Sequence, residues 1–234
     1  MKRITVLVGN YGSGKTELSL NIAMALQKKH GDVTLVDLDI VNPYFRSSEH
    51  TSLLEEKGVK VVAPVYANTA VDLPTLPPDV FSAFGTGHAV FDCGGDPVGA
   101  TALGGLKARF DAVRSDVQVL YVVNTMRPFQ DSAQGIADSL AKIQDRARLK
   151  ADGFVFNANL GPETTGEELA SGFDTMLAAA KMTGIPIAYV SGTSEALGVF
   201  RTRCTQYTGA YLTIDIYMRP YWTVSYTHLR AHET

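Results

Sequence analysis

The segment Gly9-Asn10-Tyr11-Gly12-Ser13-Gly14-Lys15-Thr16 fits the pattern G-x-x-x-x-G-K-[ST], and the chemistry of that pattern is phosphate binding. Glycines at these positions let the backbone curl until successive N–H groups point at phosphate oxygens, and a helix opening at the end of the loop adds its positive dipole. Lys15 is then placed to contact the β- and γ-phosphates of a nucleotide, and the Thr16 hydroxyl to bind Mg²⁺. Every residue from Gly9 to Thr16 is accordingly a candidate phosphate contact. A glycine-rich turn carrying a solvated lysine is the plain alternative, and the context opposes it. The apolar run Ile4 to Val8 precedes the loop, and Leu18, Ile22, Ala25 and Leu26 follow at helical spacing.

A Mg²⁺-nucleotide site also needs carboxylates to hold the metal's water shell and to orient a nucleophile. Two strand ends supply them: Val36-Asp37-Leu38-Asp39, and Val90-Phe91-Asp92-Cys93-Gly94-Gly95. Asp92 is the expected outer-sphere metal carboxylate, and Gly95 is expected to bring a backbone N–H near the γ-phosphate. Asp37 and Asp39 alternate with apolar neighbours, and the expectation is that only one of them points straight into a given face. Asp39 is assigned the water or metal role. Asp37 is left to hydrogen-bond the loop, with capping of the turn at Asn42-Pro43 as the alternative for either residue. Catalytic roles thus fall on Lys15, Asp39 and Asp92, and metal roles on Thr16, Asp39 and Asp92.

These residues need strands to carry them to one edge of a sheet. Apolar runs at Ile4–Val8, Val33–Val36, Val59–Val62, Ala89–Phe91, Val117–Val123, Phe154–Phe156 and Ile187–Val190 are continuous enough to be buried parallel strands. Helical patterns lie between them, one through Ile136, Leu140, Ile143 and Ala147. Another runs through Leu169, Phe173, Met176, Leu177 and Ala180, starts at a Thr165/Glu168 capping box and ends at Gly184-Pro186. The alternation predicts an α/β fold: a single doubly wound, mostly parallel sheet of about seven strands with helices on both faces, ligands binding outside the carboxyl ends.

Composition narrows the function. The 234 residues are 45% hydrophobic and 19% charged, enough for one domain with its own core. A formal net charge of -3 and no Lys/Arg run give no basic field for nucleic acid. Cys93 and Cys204 lack metal-ligand or disulfide spacing, which suits a cytoplasmic protein. No apolar run reaches the roughly 20 residues of a transmembrane helix. Residues 1–222 read as the nucleotide-binding domain. Residues 223–234, with His228 and His232, carry neither pattern nor punctuation and read as a non-native tail.

At the loop, at Asp37-Leu38-Asp39 and at Asp92-Cys93-Gly94-Gly95, the chain resembles the MinD/ParA/CobQ-type P-loop NTPases, the deviant-Walker group. The run from Asp37 to Arg46 looks like switch I of a bacterial branch of that group, and Asp96 with Gly99 falls where a moving switch II is expected. The resemblance implies a parallel sheet, ATP with Mg²⁺, and often a nucleotide-sandwich homodimer. It also places a base-contacting Asn after the sixth strand, at Asn157 or Asn159, while a simple turn at Asn157-Ala158-Asn159 is the alternative. Asn124 is similarly ambiguous, and Gly192-Thr193-Ser194-Glu195 is a candidate border of the base pocket. Asn10 stands where the group carries the lysine that reaches across the dimer, so that mechanism does not transfer; Arg46 and Arg127 are the alternative cations. The guanine-reading tetrad Asn-Lys-x-Asp is absent, which favours ATP. Three functions are consistent with this: an ATPase coupled to a protein partner or cargo, a small-molecule kinase or ATP-dependent ligase with Arg146 and Arg148 as lid cations, and a nucleotide-gated binding module with negligible intrinsic hydrolysis.

Overall fold

The computed structural model describes residues 1–39, 51–62, 78–85, 87–95, 97–158, 161 and 164–218. Asn42, Pro43, Arg46, Asp96, Asn159 and residues 219–234, on which several expectations fell, lie outside them. The eight strands are β1 (Ile4–Val8), β2 (Val33–Leu38), β3 (Lys60–Val62), β4 (His88–Cys93), β5 (Val117–Val123), β6 (Gly153–Phe156), β7 (Ile187–Gly192) and β8 (Ala210–Thr213). They form one sheet in the order β3-β2-β4-β1-β5-β6-β7-β8. Every pairing is parallel. Seven strands are the expected ones. The eighth, with its Ala-Tyr-Leu-Thr sequence, lies at the sheet edge and is only partly covered, so it lacks the continuous apolar run that marks a buried strand.

The helices are α1 (Lys15–His30), α2 (Thr51–Glu56), α3 (Pro97–Gly105), α4 (Lys107–Ala112), α5 (Ala133–Ala147), α6 (Gly166–Ser171), α7 (Phe173–Thr183) and α8 (Ser194–Arg203). Strand side chains alternate between the two faces, and the sequence fills both. Leu7, Leu35, Val90 and Val122 pack with Leu18, Ile22 and Leu26 of α1 and Leu54 of α2. On the other face Val6, Phe91 and Tyr121 pack with Leu103 of α3, Ile136 of α5, Phe173 of α7 and Phe200 of α8. β1 lies at the point where the chain, having built β2 and β3 on one side, turns to build β5 to β8 on the other. In open parallel sheets that reversal opens a crevice at the strand's carboxyl end.

One expected helix is two. The Thr165/Glu168 capping box is formed, with the Glu168 backbone N–H donating to the Thr165 hydroxyl and the Thr165 backbone N–H to the Glu168 carboxylate. The helix nonetheless breaks at Gly172, which both ends α6 and begins α7. Any side chain there would collide with the Thr125 hydroxyl at the end of β5. The apolar spacing of Leu169, Phe173 and Met176 survives the break because all three still face the sheet.

Candidate functional site

The loop Gly9–Gly14 connects β1 to α1 across the central crevice. Gly14 caps α1 in the left-handed conformation (φ 86°), and a side chain there would strike the Asn157 amide nitrogen, so the position excludes other residues on both counts. Around it the loop is held by hydrogen bonds from below. The Asn157 Nδ2 donates to the Ser13 carbonyl (2.8 Å), and the Gly12 carbonyl accepts from Asn124 Nδ2 (3.3 Å) and Arg127 Nε (3.2 Å). Lys15 is 7% exposed and its Nζ donates to the Asn10 carbonyl at 2.9 Å, bridging the mouth of the loop.

Asn10 turns its side chain inward. Its Nδ2 donates to Ser139 Oγ on α5 (3.1 Å), and its Oδ1 accepts from the Tyr121 hydroxyl on β5 (3.3 Å). The residue in the place of the group's signature lysine therefore anchors the loop to its own domain. Arg127, the alternative cation, is exposed and adjoins the loop at Gly12.

The carboxylates come from β2 and β4. Asp37 and Asp92 are register partners on these neighbouring strands, and both are 1% exposed. Their face is settled by alternation: Phe91 and Cys93 point into the core beneath α3 to α8, whereas Val90 packs toward α1, so Asp92 points toward α1 as well. The expectation that only one of Asp37 and Asp39 points into a given face is corrected here. Residues two apart share a face of a strand, and β2 continues to Leu38, so Asp37 lies within it. Asp39 follows directly, its backbone N–H donating to Asp37 Oδ1 at 2.9 Å, and its own carboxylate lies beside Gly94. Asp37, Asp39 and Asp92 thus gather at one end of the sheet, next to the phosphate loop.

Neither oxygen of the buried Asp92 carboxyl has a hydrogen-bond partner. The Thr16 hydroxyl approaches it and favours its charged form without making a bond of normal geometry. Burial pushes the Asp92 carboxyl up to about 7, and the Asp37 charge adds to the shift. Lys15 and then Thr16 oppose it, and Asp39 adds a smaller push upward. A buried carboxyl met only by the Thr16 hydroxyl and the nearby Lys15 charge is costly unless a ligand completes it. Among the described residues no cluster of three or more His, Cys, Asp or Glu side chains is set to hold an ion alone. That donor set fits Mg²⁺, which keeps several waters and is usually bound through one or two carboxylates together with substrate phosphates. Cys93, next in sequence, points to the opposite face, and burial holds its thiol well above the ordinary range.

Gly95 sits against the loop so closely that a side chain there would lie 2.5 Å from the Tyr11 nitrogen. This close approach brings the end of β4 onto Asn10-Tyr11. At the other side of the crevice Asn157 is 1% exposed. Besides its bond to Ser13 it accepts from Ser191 Oγ at 2.8 Å, so its amide links the loop to β7. Arg146 is exposed near the carboxyl end of α5, and Arg148 caps that end, where the chain leads into the amino end of β6, opposite the strand ends that carry the loop. Ser191 carries site geometry that its sequence context did not announce.

A phosphate loop between strand and helix, at the reversal point of a parallel sheet and facing a buried carboxylate, defines a nucleotide-binding protein of the P-loop class. A sequence profile of the CobQ/CobB/MinD/ParA nucleotide binding domain matches residues 4–199, and the chain belongs to that family. No curated protein sequence matches it. Among solved structures it is similar to FtsY from Mycoplasma mycoides, with 18% identity and a TM-score of 0.54 over 88% of this chain and 67% of that one. It is also similar to the signal recognition particle 54 kDa protein from Aeropyrum pernix K1 in complex with GDP, with 24% identity and a TM-score of 0.53 over 83% of this chain and 42% of that one. FlhF complexed with GTP/Mg²⁺ follows at 16% identity and a TM-score of 0.51, over 87% of this chain and 74% of that one. At these identities the likeness is one of fold. The chain spans well under half of the signal recognition particle protein it matches. No helix among the described residues is long and apolar enough to cross a membrane.

Proposed function

We propose that the chain binds Mg²⁺-ATP and hydrolyses it slowly, with turnover coupled to a protein partner or cargo. The observation that carries this reading is the buried, unpartnered carboxyl of Asp92 facing Lys15 and Thr16 beside the phosphate loop. Thr16, with Asp39 and Asp92 through water, would hold Mg²⁺, which when bound neutralises charge on the β- and γ-phosphate oxygens. Lys15 exchanges the Asn10 carbonyl for phosphate oxygens. Asp39, only partly covered, orients the attacking water. Arg127 supplies positive charge from the same chain. Slow turnover follows from Asn10, whose inward amide leaves a partner copy's nucleotide without the lysine contact. A homodimer, if formed, is therefore not assembled around that contact. ATP is preferred over GTP because no Asn-Lys-x-Asp tetrad is present, although two of the fold's solved likenesses carry guanine nucleotides.

The kinase reading loses support from the position of Arg146 and Arg148. Phosphate release from ATP and from GTP, with and without Mg²⁺, tests the proposal. Slow Mg²⁺-dependent release from ATP alone supports it. Release only when a small acceptor is added would assign a kinase or ligase, and tight binding without turnover would leave a nucleotide-gated module.

A further inference from the structure

After β8 the chain leaves the sheet and runs over the opening turns of α1, where side chains of that helix hold its backbone. The Glu17 carboxylate accepts the backbone N–H of Tyr217 at 2.8 Å on one oxygen and that of Met218 at 3.0 Å on the other. Asn21 makes a reciprocal pair with Asp215, accepting its N–H at 2.8 Å and donating to its carbonyl at 2.9 Å. The Ile214 N–H donates to the Gly192 carbonyl at the end of β7 (3.0 Å). Backbone groups outside a sheet or helix need such partners, and here the partners lie one turn from the phosphate loop: Glu17 immediately follows Thr16.

The same segment borders a cleft. Ile214 and Ile216 line it together with Ala158 after β6, and Gly192 and Thr193 after β7. Its position at the carboxyl ends of two parallel strands is where this class of sheet binds ligands. Asn157, next to the lining residue Ala158, ties this end of β6 to the phosphate loop by its bond to Ser13 and to β7 by its bond from Ser191. The cleft is narrow, and its lining is mostly aliphatic, the chemistry that meets the flat face of a heteroaromatic ring once the walls part to admit one.

We propose that residues 214–218 are a strap forming the outer wall of the nucleotide's base subsite, and that Glu17 is the positioning residue that holds the wall in place. This rests on the nucleotide reading above. The occupant is the purine base of a nucleotide whose phosphates lie on Gly9–Thr16. Glu17 acts on the base through the strap and does not touch the phosphates.

The test compares binding of Mg²⁺-ATP with that of Mg²⁺-tripolyphosphate, which has the phosphates and no base, to the full chain. In Glu17→Gln one acceptor becomes a donor facing a backbone N–H, so one of the two ties is lost. The expected result is about tenfold weaker ATP binding, equivalent to about 1.4 kcal/mol, with tripolyphosphate binding unchanged. Ile216→Ala, which trims the half-buried wall and leaves the Glu17 bonds in place, is expected to weaken ATP severalfold and again spare tripolyphosphate. Equal loss of both ligands in Glu17→Gln, or unchanged ATP affinity in Ile216→Ala, would overturn the inference. Wild-type protein that binds tripolyphosphate as tightly as ATP would remove the base subsite and leave the phosphate site standing. Binding of neither ligand would overturn the nucleotide reading itself.

Discussion

At the carboxyl ends of β1 and β4 the buried Asp92 carboxyl oxygens and the Ser13 hydroxyl have no hydrogen-bond partner, whereas at the ends of β6 and β7 the buried amide of Asn157 and hydroxyl of Ser191 bond each other and the loop. Leaving buried polar atoms unsatisfied is costly, so the contrast separates two kinds of structure within one crevice. The β4 side keeps polar groups that the protein itself does not satisfy, which is what the proposed charged ligand would use. The β6–β7 side is already complete and serves to fix the shape of the loop that receives it.

Substitutions that move a residue from one category to the other test the contrast most severely. Asp92→Asn removes a buried charge that Lys15 and Thr16 only partly offset. The folded pKa near 7 lies above the ordinary carboxylate range near 4. The folded form therefore binds the proton more tightly, and the stability from that preference is present below pH 4 and lost as pH rises to 7. At pH 8 the wild type carries the full burden of the buried charge. The asparagine variant is expected to be more stable there, by on the order of 4 kcal/mol, while the Mg²⁺-dependent part of its nucleotide affinity is lost. Thermal melts at pH 5 and 8 check the first expectation, with a gain at pH 8 that shrinks at pH 5. Titrations with and without Mg²⁺ check the second.

Asn157→Ala acts on the completed side. It strips a partner from the Ser13 carbonyl and from the Ser191 hydroxyl, and a loss of about 1–3 kcal/mol in stability is expected from the unsatisfied groups. Denaturant unfolding measures it, and a loss below half a kcal/mol would show that the amide is not a structural tie.

A weaker effect follows from protonation. The proposed Mg²⁺ role of Asp92 uses its ionised form, so under that proposal affinity for Mg²⁺-ATP is expected to rise severalfold between pH 6 and 8 in the wild type and to stay flatter in Asp92→Asn. Calorimetry across that range reads the difference. Arg127→Ala should have the smallest effect on folding, below about 0.5 kcal/mol for an exposed side chain, and a severalfold effect on phosphate release. An unchanged release rate would remove Arg127 from the mechanism.

Most of the phosphate side was legible in the sequence because its chemistry is local. Eight consecutive residues from Gly9 to Thr16 state the loop, and apolar runs state seven of eight strands. The rule that only one of Asp37 and Asp39 could use a given face misjudged strand parity, and β2 in any case ends at Leu38, before Asp39. The side at β6 to β8 was hidden for physical reasons. The Glu17 carboxylate meets Tyr217 and Met218 some 200 residues away, β8 is a partly covered edge strand without an apolar run, and the tight fit of Gly172 at the α6–α7 break is against Thr125 of another element. The inward turn of Asn10 likewise depends on Tyr121 and Ser139, which no spacing rule connects to it.

The central claim is that Gly9–Thr16 is a working phosphate site, and calorimetric titration of the full chain with Mg²⁺-ATP and Mg²⁺-GTP, beside Lys15→Ala, tests it most directly. The account predicts that ATP binds, that GTP binds more weakly, and that Lys15→Ala loses at least about 100-fold in affinity, equivalent to about 2.7 kcal/mol, with its folding intact. Folded wild-type protein that binds neither nucleotide, or a Lys15→Ala variant that binds ATP as well as the wild type, would contradict it.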